Sequence, residues 1–157
     1  MRNMVGLVMI AAVSVLAAGC LTTGAKGSAA DEAAVRAVLD KYAESVNKLD
    51  VNMHVSIWDE AGIKHKPNAP AVVGLPAMRE RLEKNFPTYA SRHMVIKIQE
   101  VIVSGDWAFA HGVYTDEAVL KAGGKTAYTD GKFLTVFKRE PDGAWKIYAD
   151  TSSSNVP

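Results

Sequence analysis

Apolar residues recur at three- and four-residue intervals along Ala34–Leu49, where Val35, Val38, Leu39, Tyr42, Val46 and Leu49 put one oily face on a helix. Ser28 followed by Asp31 fits a Ser-x-x-Asp capping pattern. Asp31 and Glu32 also place negative charge where the helix dipole favours it, so the helix starts there and runs to about Lys48. Asp50 then caps a shorter second helix with Val51, His54, Val55 and Trp58 on one face.

From Ala61 the pattern changes to alternation. Gly62-Ile63-Lys64-His65-Lys66 predicts a short strand stopped by Pro67, and Ala71-Val72-Val73 a second one. Pro76 stands in the first turn of a third helix, with Leu75, Met78 and Leu82 on its buried side and its end near Phe86-Pro87. The remainder reads as an antiparallel meander. Met94, Ile96 and Ile98 share one parity whereas Val101 and Val103 take the other, which predicts a bulge near Gln99-Glu100. Ser104-Gly105-Asp106, Ala122-Gly123-Gly124-Lys125 and Pro141-Asp142-Gly143 are the turns. They separate strands over Trp107–Thr115, Tyr128–Arg139 and Ala144–Asp150, and Thr151–Pro157 reads as a polar tail.

Three helices followed by a strongly curved antiparallel sheet make an α+β plan in which the sheet wraps the first helix. The expected domain covers residues 31–152, with a polar tail over 153–157.

The N-terminal pattern is of another kind. Arg2 precedes Val5–Ala18, a run of 14 apolar and small residues that is short of the roughly 20 a spanning helix needs, and the run ends in Gly19-Cys20. Leu16-Ala17-Ala18-Gly19-Cys20 resembles the lipobox of bacterial lipoproteins, with its leucine one place earlier than usual. The resemblance implies that residues 1–19 are a signal peptide and Cys20 the lipidated first residue of the mature protein. Residues 20–30 are then a flexible tether. The alternative is an ordinary secretory signal cut after Ala18 or Gly19, leaving a lone thiol. Leu21, where an aspartate would signal inner-membrane retention, favours a cell-envelope protein on the outer membrane facing the periplasm, if the host has one.

Loss of Arg2 leaves 17 Lys and Arg against 17 Asp and Glu. A formally neutral domain lacks the basic excess of nucleic-acid binders, so no nucleic acid is expected. No His-x-His, His-Glu-x-x-His or cysteine pair suggests a metal, and no Gly-rich loop opens a helix, so no metal or cofactor is assigned.

Five features together resemble the NTF2-like superfamily, in particular SnoaL-like and DUF4440-like proteins related to ketosteroid isomerase. They are Tyr42 with Asn47, Trp58-Asp59-Glu60-Ala61, Val73-Gly74, Gly105-Asp106-Trp107-Ala108 and Gly143-Ala144-Trp145-Lys146-Ile147. The resemblance implies a cone with an apolar pocket between the first helix and the concave sheet. In ketosteroid isomerase that pocket holds a tyrosine donor, a carboxylate base and a protonated carboxylic acid. Laid on this chain, the pattern keeps the tyrosine at Tyr42, puts the base at Lys66, and puts the second acid near Leu134 or Thr135, where the nearest carboxylate, Asp130, comes too early. The isomerase chemistry is therefore not expected.

The candidate ligand contacts are Tyr42, Trp58, His65 and His111, each with a plainer alternative. Tyr42 is a pocket donor or a core aromatic, and Trp58 a cavity floor or plain core. His65 shares parity with Ile63 and enters the pocket if Ile63 does, or else lies at the rim. His111 faces the pocket or a dimer surface, and His54 reads as a satisfied core histidine. Asp150, opposite in parity to Trp145 and Ile147, supplies the missing carboxylate or ends its strand in solvent. The reading preferred is non-catalytic binding of a small apolar molecule. The alternatives are an isomerase-like enzyme using His65, Tyr42 and Asp150, and an assembly module that forms a homodimer through the sheet.

Overall fold

The computed structural model describes residues 27–155, so Cys20 and the segment before it lie outside the described residues. Helix α1 (Ala29–Asn47) begins at the expected cap: the Asp31 amide donates to Ser28 Oγ, and the Ser28 amide donates back to the Asp31 carboxylate. Val35, Leu39 and Val46 on its oily stripe are buried. Helix α2 (Val51–Ser56) is capped by Asp50, whose Oδ1 accepts from the Met53 amide at 2.9 Å. Helix α3 (Leu75–Asn85) has Pro76 in its first turn and buries Met78.

Six strands form one sheet in the order β2-β1-β6-β5-β4-β3. Strands β1 (Trp58–Lys66) and β2 (Ala69–Val73) are a hairpin; β3 (Tyr89–Ser104), β4 (Trp107–Leu120), β5 (Thr126–Arg139) and β6 (Trp145–Ser154) are the meander. The plan is the expected α+β cone. The sheet is mixed, however, because β1 runs parallel to β6. Besides two-residue differences at the starts of β2 and β5, three elements differ more in extent. Trp58 opens β1 instead of closing α2, β4 runs on to Leu120, and Thr151–Ser154 pairs with β5 as strand instead of forming a polar tail.

Curvature has a local cause. A Cβ on Gly131 would lie 1.8 Å from the Ser153 carbonyl oxygen, and one on Gly112 2.1 Å from that of Lys97. Neighbouring strands fold over these two positions where no side chain stands in the way. The predicted bulge is present, since the register of β3 against β4 shifts between Ile98 and Glu100.

The concave face closes over α1, with Phe133, Phe137, Trp145 and Ile147 packed with Val35, Leu39 and Trp58 in one core. Both ends of α1 are pinned. Asn47 donates to the Met94 carbonyl at 3.0 Å and accepts from the Met94 amide at 2.6 Å, while Arg139, stacked over Trp145, holds Asp31 at 2.7 Å. The helix is thus fixed along the cone axis.

Candidate functional site

Between α1, α3, β1 and the concave sheet lies a cavity of about 500 Å³. This falls within the roughly 300–1,000 Å³ usual for small-molecule sites. Its floor is made by buried Leu39, His54, Trp58, Met78 and Phe86, and its mouth by exposed Lys66, Pro67 and Ala127.

A polar seam runs down one wall. Lys64 of β1 and Asp150 of β6 are register partners, as are Asp150 and Thr135 of β5, so the three stand in one cross-strand row. The Lys64 ammonium forms an ion pair with Asp150 and donates to the Tyr42 hydroxyl at 3.0 Å, and Thr135 Oγ1 donates to the other Asp150 oxygen at 2.6 Å. Burial by itself depresses the Lys64 pKa, but the Asp150 carboxylate and the Tyr42 oxygen reverse this and hold it above the usual lysine range. Tyr42 accepts from Lys64, and its own proton has no acceptor among the described residues. It is a donor for an oxygen inside the cavity.

His54 is buried behind Tyr42, with ring centroids 4.7 Å apart in an edge-on arrangement. Ser45 Oγ donates to the Tyr42 carbonyl at 2.7 Å, so its 2.9 Å contact with His54 Nδ1 assigns the ring proton to Nδ1. Burial, then the charges of Lys64, Lys66 and Arg92, push the His54 pKa down to about 3, and the ring is neutral. At the mouth, Lys66 is surrounded by protein on most sides while water reaches it from the opening. Burial, then Lys64, Arg81 and Arg92, lower its pKa to about 8.

The structure sorts the sequence candidates. Tyr42 and Trp58 line the cavity, and Asp150 joins them. His65 does not. Gly62, Lys64 and Lys66 take the inward parity of β1 and leave His65 exposed on the other face. His111 is also outside the cavity, with Nε2 3.2 Å from Glu100 Oε2. Asp150 faces inward because β6 carries an extra residue: Phe137 pairs with Ile147 but Val136 with Ala149, so Tyr148 is bulged and parity flips after it. Lys64, Arg81, Arg92 and Asp116 line the cavity although the sequence pattern singled out none of them as site residues, and Thr135, one of the two positions where the isomerase pattern put its second acid, lines it too. For Lys64 the signal was partial: it shares the parity of Gly62 and Lys66, but Glu60 is exposed, Asp59 is buried and the register against β6 shifts between Trp58 and Ile63, so alternation from Trp58 does not run through unbroken. Among the described residues no group of three or more His, Cys, Asp or Glu is placed to hold a metal ion.

Residues 27–149 match the SnoaL-like domain, and the chain belongs to that family. Among solved structures it is similar to a ketosteroid isomerase-like protein from Erwinia carotovora atroseptica, at 23% identity and TM-score 0.73, over 83% of this chain and 100% of that one. It is also similar to an NTF2-like superfamily protein from Salmonella enterica, at 18% identity and TM-score 0.75, over 83% and 95%. A third is hexachlorocyclohexane dehydrochlorinase LinA-type3 from Novosphingobium barchaimii, at 17% identity and TM-score 0.68, over 80% and 87%. No curated protein sequence matches. The fold is the NTF2-like cone.

Proposed function

We propose that this is a lipid-anchored cell-envelope protein whose cone binds one small, largely apolar molecule without turning it over. The cavity, with its apolar floor and a Tyr42 hydroxyl that accepts from Lys64 and keeps its own proton to donate, is the observation that carries the reading. Its deep charged groups are committed to each other as the Lys64–Asp150 pair, and His54 is a weak base at neutral pH. A structural neighbour named for hexachlorocyclohexane, a small apolar compound, is in line with such a ligand. The anchor rests on the lipobox pattern before Cys20, with the outer membrane facing the periplasm as its place if the host has one.

Titration with N-phenyl-1-naphthylamine, an apolar fluorophore, tests the cone. Saturable one-to-one enhancement, lost in Ala127→Trp at the mouth, is expected. A linear, unsaturated response in the parent protein contradicts it.

An enzymatic reading has one observation behind it. Lys66, at the base position of the isomerase pattern, has a pKa near 8 and shares the cavity with the Tyr42 donor. His65 has no part in it, being exposed outside the cone. Under this reading the protein accelerates deuterium exchange α to the carbonyl of 2-tetralone, and Lys66→Gln abolishes the acceleration. No exchange above buffer removes it.

For pairing through the sheet, the outer face supplies Trp107, Phe109 and Leu134, which are 46%, 37% and 44% exposed. Light scattering at micromolar concentration should return a dimer that Phe109→Lys dissociates; a monomer in the parent protein sinks that assembly.

A further inference from the structure

The charge in the cavity is unevenly matched. Lys64, Lys66, Arg81 and Arg92 line it against two carboxylates, Asp116 and Asp150. Lys64 is paired with Asp150. Arg92 grips Asp116 with both Nε, at 3.0 Å, and Nη2. Each carboxylate therefore already has its cation, and His54 adds no charge. Two cations remain: Lys66, exposed at the end of β1, and Arg81, half-buried on α3. Neither has a hydrogen bond or an ion pair among the described residues, and Asp116, which favours the charge on Lys66, is already gripped by Arg92.

These two come from different elements onto one opening, and the Arg81 charge raises the cost of charging Lys66. An anion placed between them removes that repulsion and gains charge-assisted hydrogen bonds. Arginine offers a planar fork suited to two oxygens, and lysine a point charge beside it. Deeper in, away from the polar seam, the walls change to Leu39, Met78, Phe86 and Ile96, which offer nothing to an anion.

We propose that Lys66 and Arg81 form an anion-recognition pair at the cone's mouth, so that the ligand is an amphipathic acid with one carboxylate-type group at the rim and an apolar body below. This rests on the cone being a ligand site, and it goes further in naming the ligand class. The ligand enters body first, with its acid left where water still reaches it.

Two fluorophores with the same ring system separate the claims. 1-Anilinonaphthalene-8-sulfonate carries an acid group, and N-phenyl-1-naphthylamine lacks it. The full-length protein should bind the sulfonate more tightly, and added salt should weaken the sulfonate alone. Lys66→Gln with Arg81→Gln should cost the sulfonate about tenfold or more in affinity and leave the amine unchanged. Lys66→Glu should reverse the preference, which guards against a double variant that simply fails to fold. Equal loss of both probes, or an unchanged ratio between them, overturns the anion pair while the cone stands. If neither probe binds the parent protein, the cone reading fails together with this one.

Discussion

Lys64 and Asp150 face each other across adjacent parallel strands and close an ion pair inside the cone, with only 12% and 6% of their side chains exposed. Such a pair is costly to break and cheap to replace. Asp150→Asn leaves a buried ammonium unmatched and should cost roughly 3–5 kcal/mol by urea unfolding. Lys64→Met combined with Asp150→Leu should recover most of that loss, because neither charge is then stranded. The sign with pH follows from the raised Lys64 pKa. Its stabilisation is complete below the unfolded lysine value of about 10.4 and is lost above it, so the gap between parent and Asp150→Asn should narrow in strong alkali.

His54 sets an acid-side dependence. Its folded pKa of about 3 lies below the unfolded 6.5, so the unfolded chain takes up a proton that the folded one refuses. Stability should fall by about 2 kcal/mol between roughly pH 6.5 and 4.5. The lowered carboxylates, Asp31, Asp59 and the exposed Glu80, act at or below the acid edge of that window. Urea midpoints measured across the window should slope for the parent protein and be flat for His54→Gln.

The mouth should titrate separately. Lys66 carries its charge below about pH 8 and loses it above. Affinity for the anilinonaphthalene sulfonate should decline as pH rises through that value, while the neutral amine holds steady. In Lys66→Gln the pH dependence of sulfonate binding should disappear.

Gly131→Ala tests the cause of curvature. The Cβ would meet backbone at 1.8 Å, which no side-chain motion relieves. A loss of about 2 kcal/mol or more is expected in thermal or urea unfolding, whereas Gly124→Ala, with open space around its Cβ but a positive φ, should cost only about 1.

For the anchor, Cys20→Ser should move the protein from the membrane fraction to the soluble one. An unchanged distribution in fractionated cells would mean that Cys20 is not lipidated.

Much of the fold was legible because it rests on local signals: the Ser28 and Asp50 caps, Pro76, the Gly-containing turns and the parity break at Gln99. The class followed from their order. The site was less legible because two irregularities decide it. A helical period running into Trp58 hid the start of β1, and an irregularity between Trp58 and Ile63 hid the parity that turns Lys64 and Lys66 inward and His65 out. The bulge at Tyr148, which brings Asp150 inside, leaves no break in hydrophobic pattern comparable to the one at Gln99, because Thr151–Ser154 is polar on both faces. Tyr42 was found through family resemblance, whereas Arg81 and Arg92 are brought to the cavity only by tertiary packing.

The central claim is that the inside of the cone is the ligand site. Methyl NMR during titration with N-phenyl-1-naphthylamine tests it most directly. The account predicts shifts gathered at Leu39, Met78, Leu82 and Ile96, all of which line the cavity, with the Leu134 methyls unmoved on the outer face. Shifts confined to Leu134 and its outer-face neighbours, with the cavity methyls still, would contradict it.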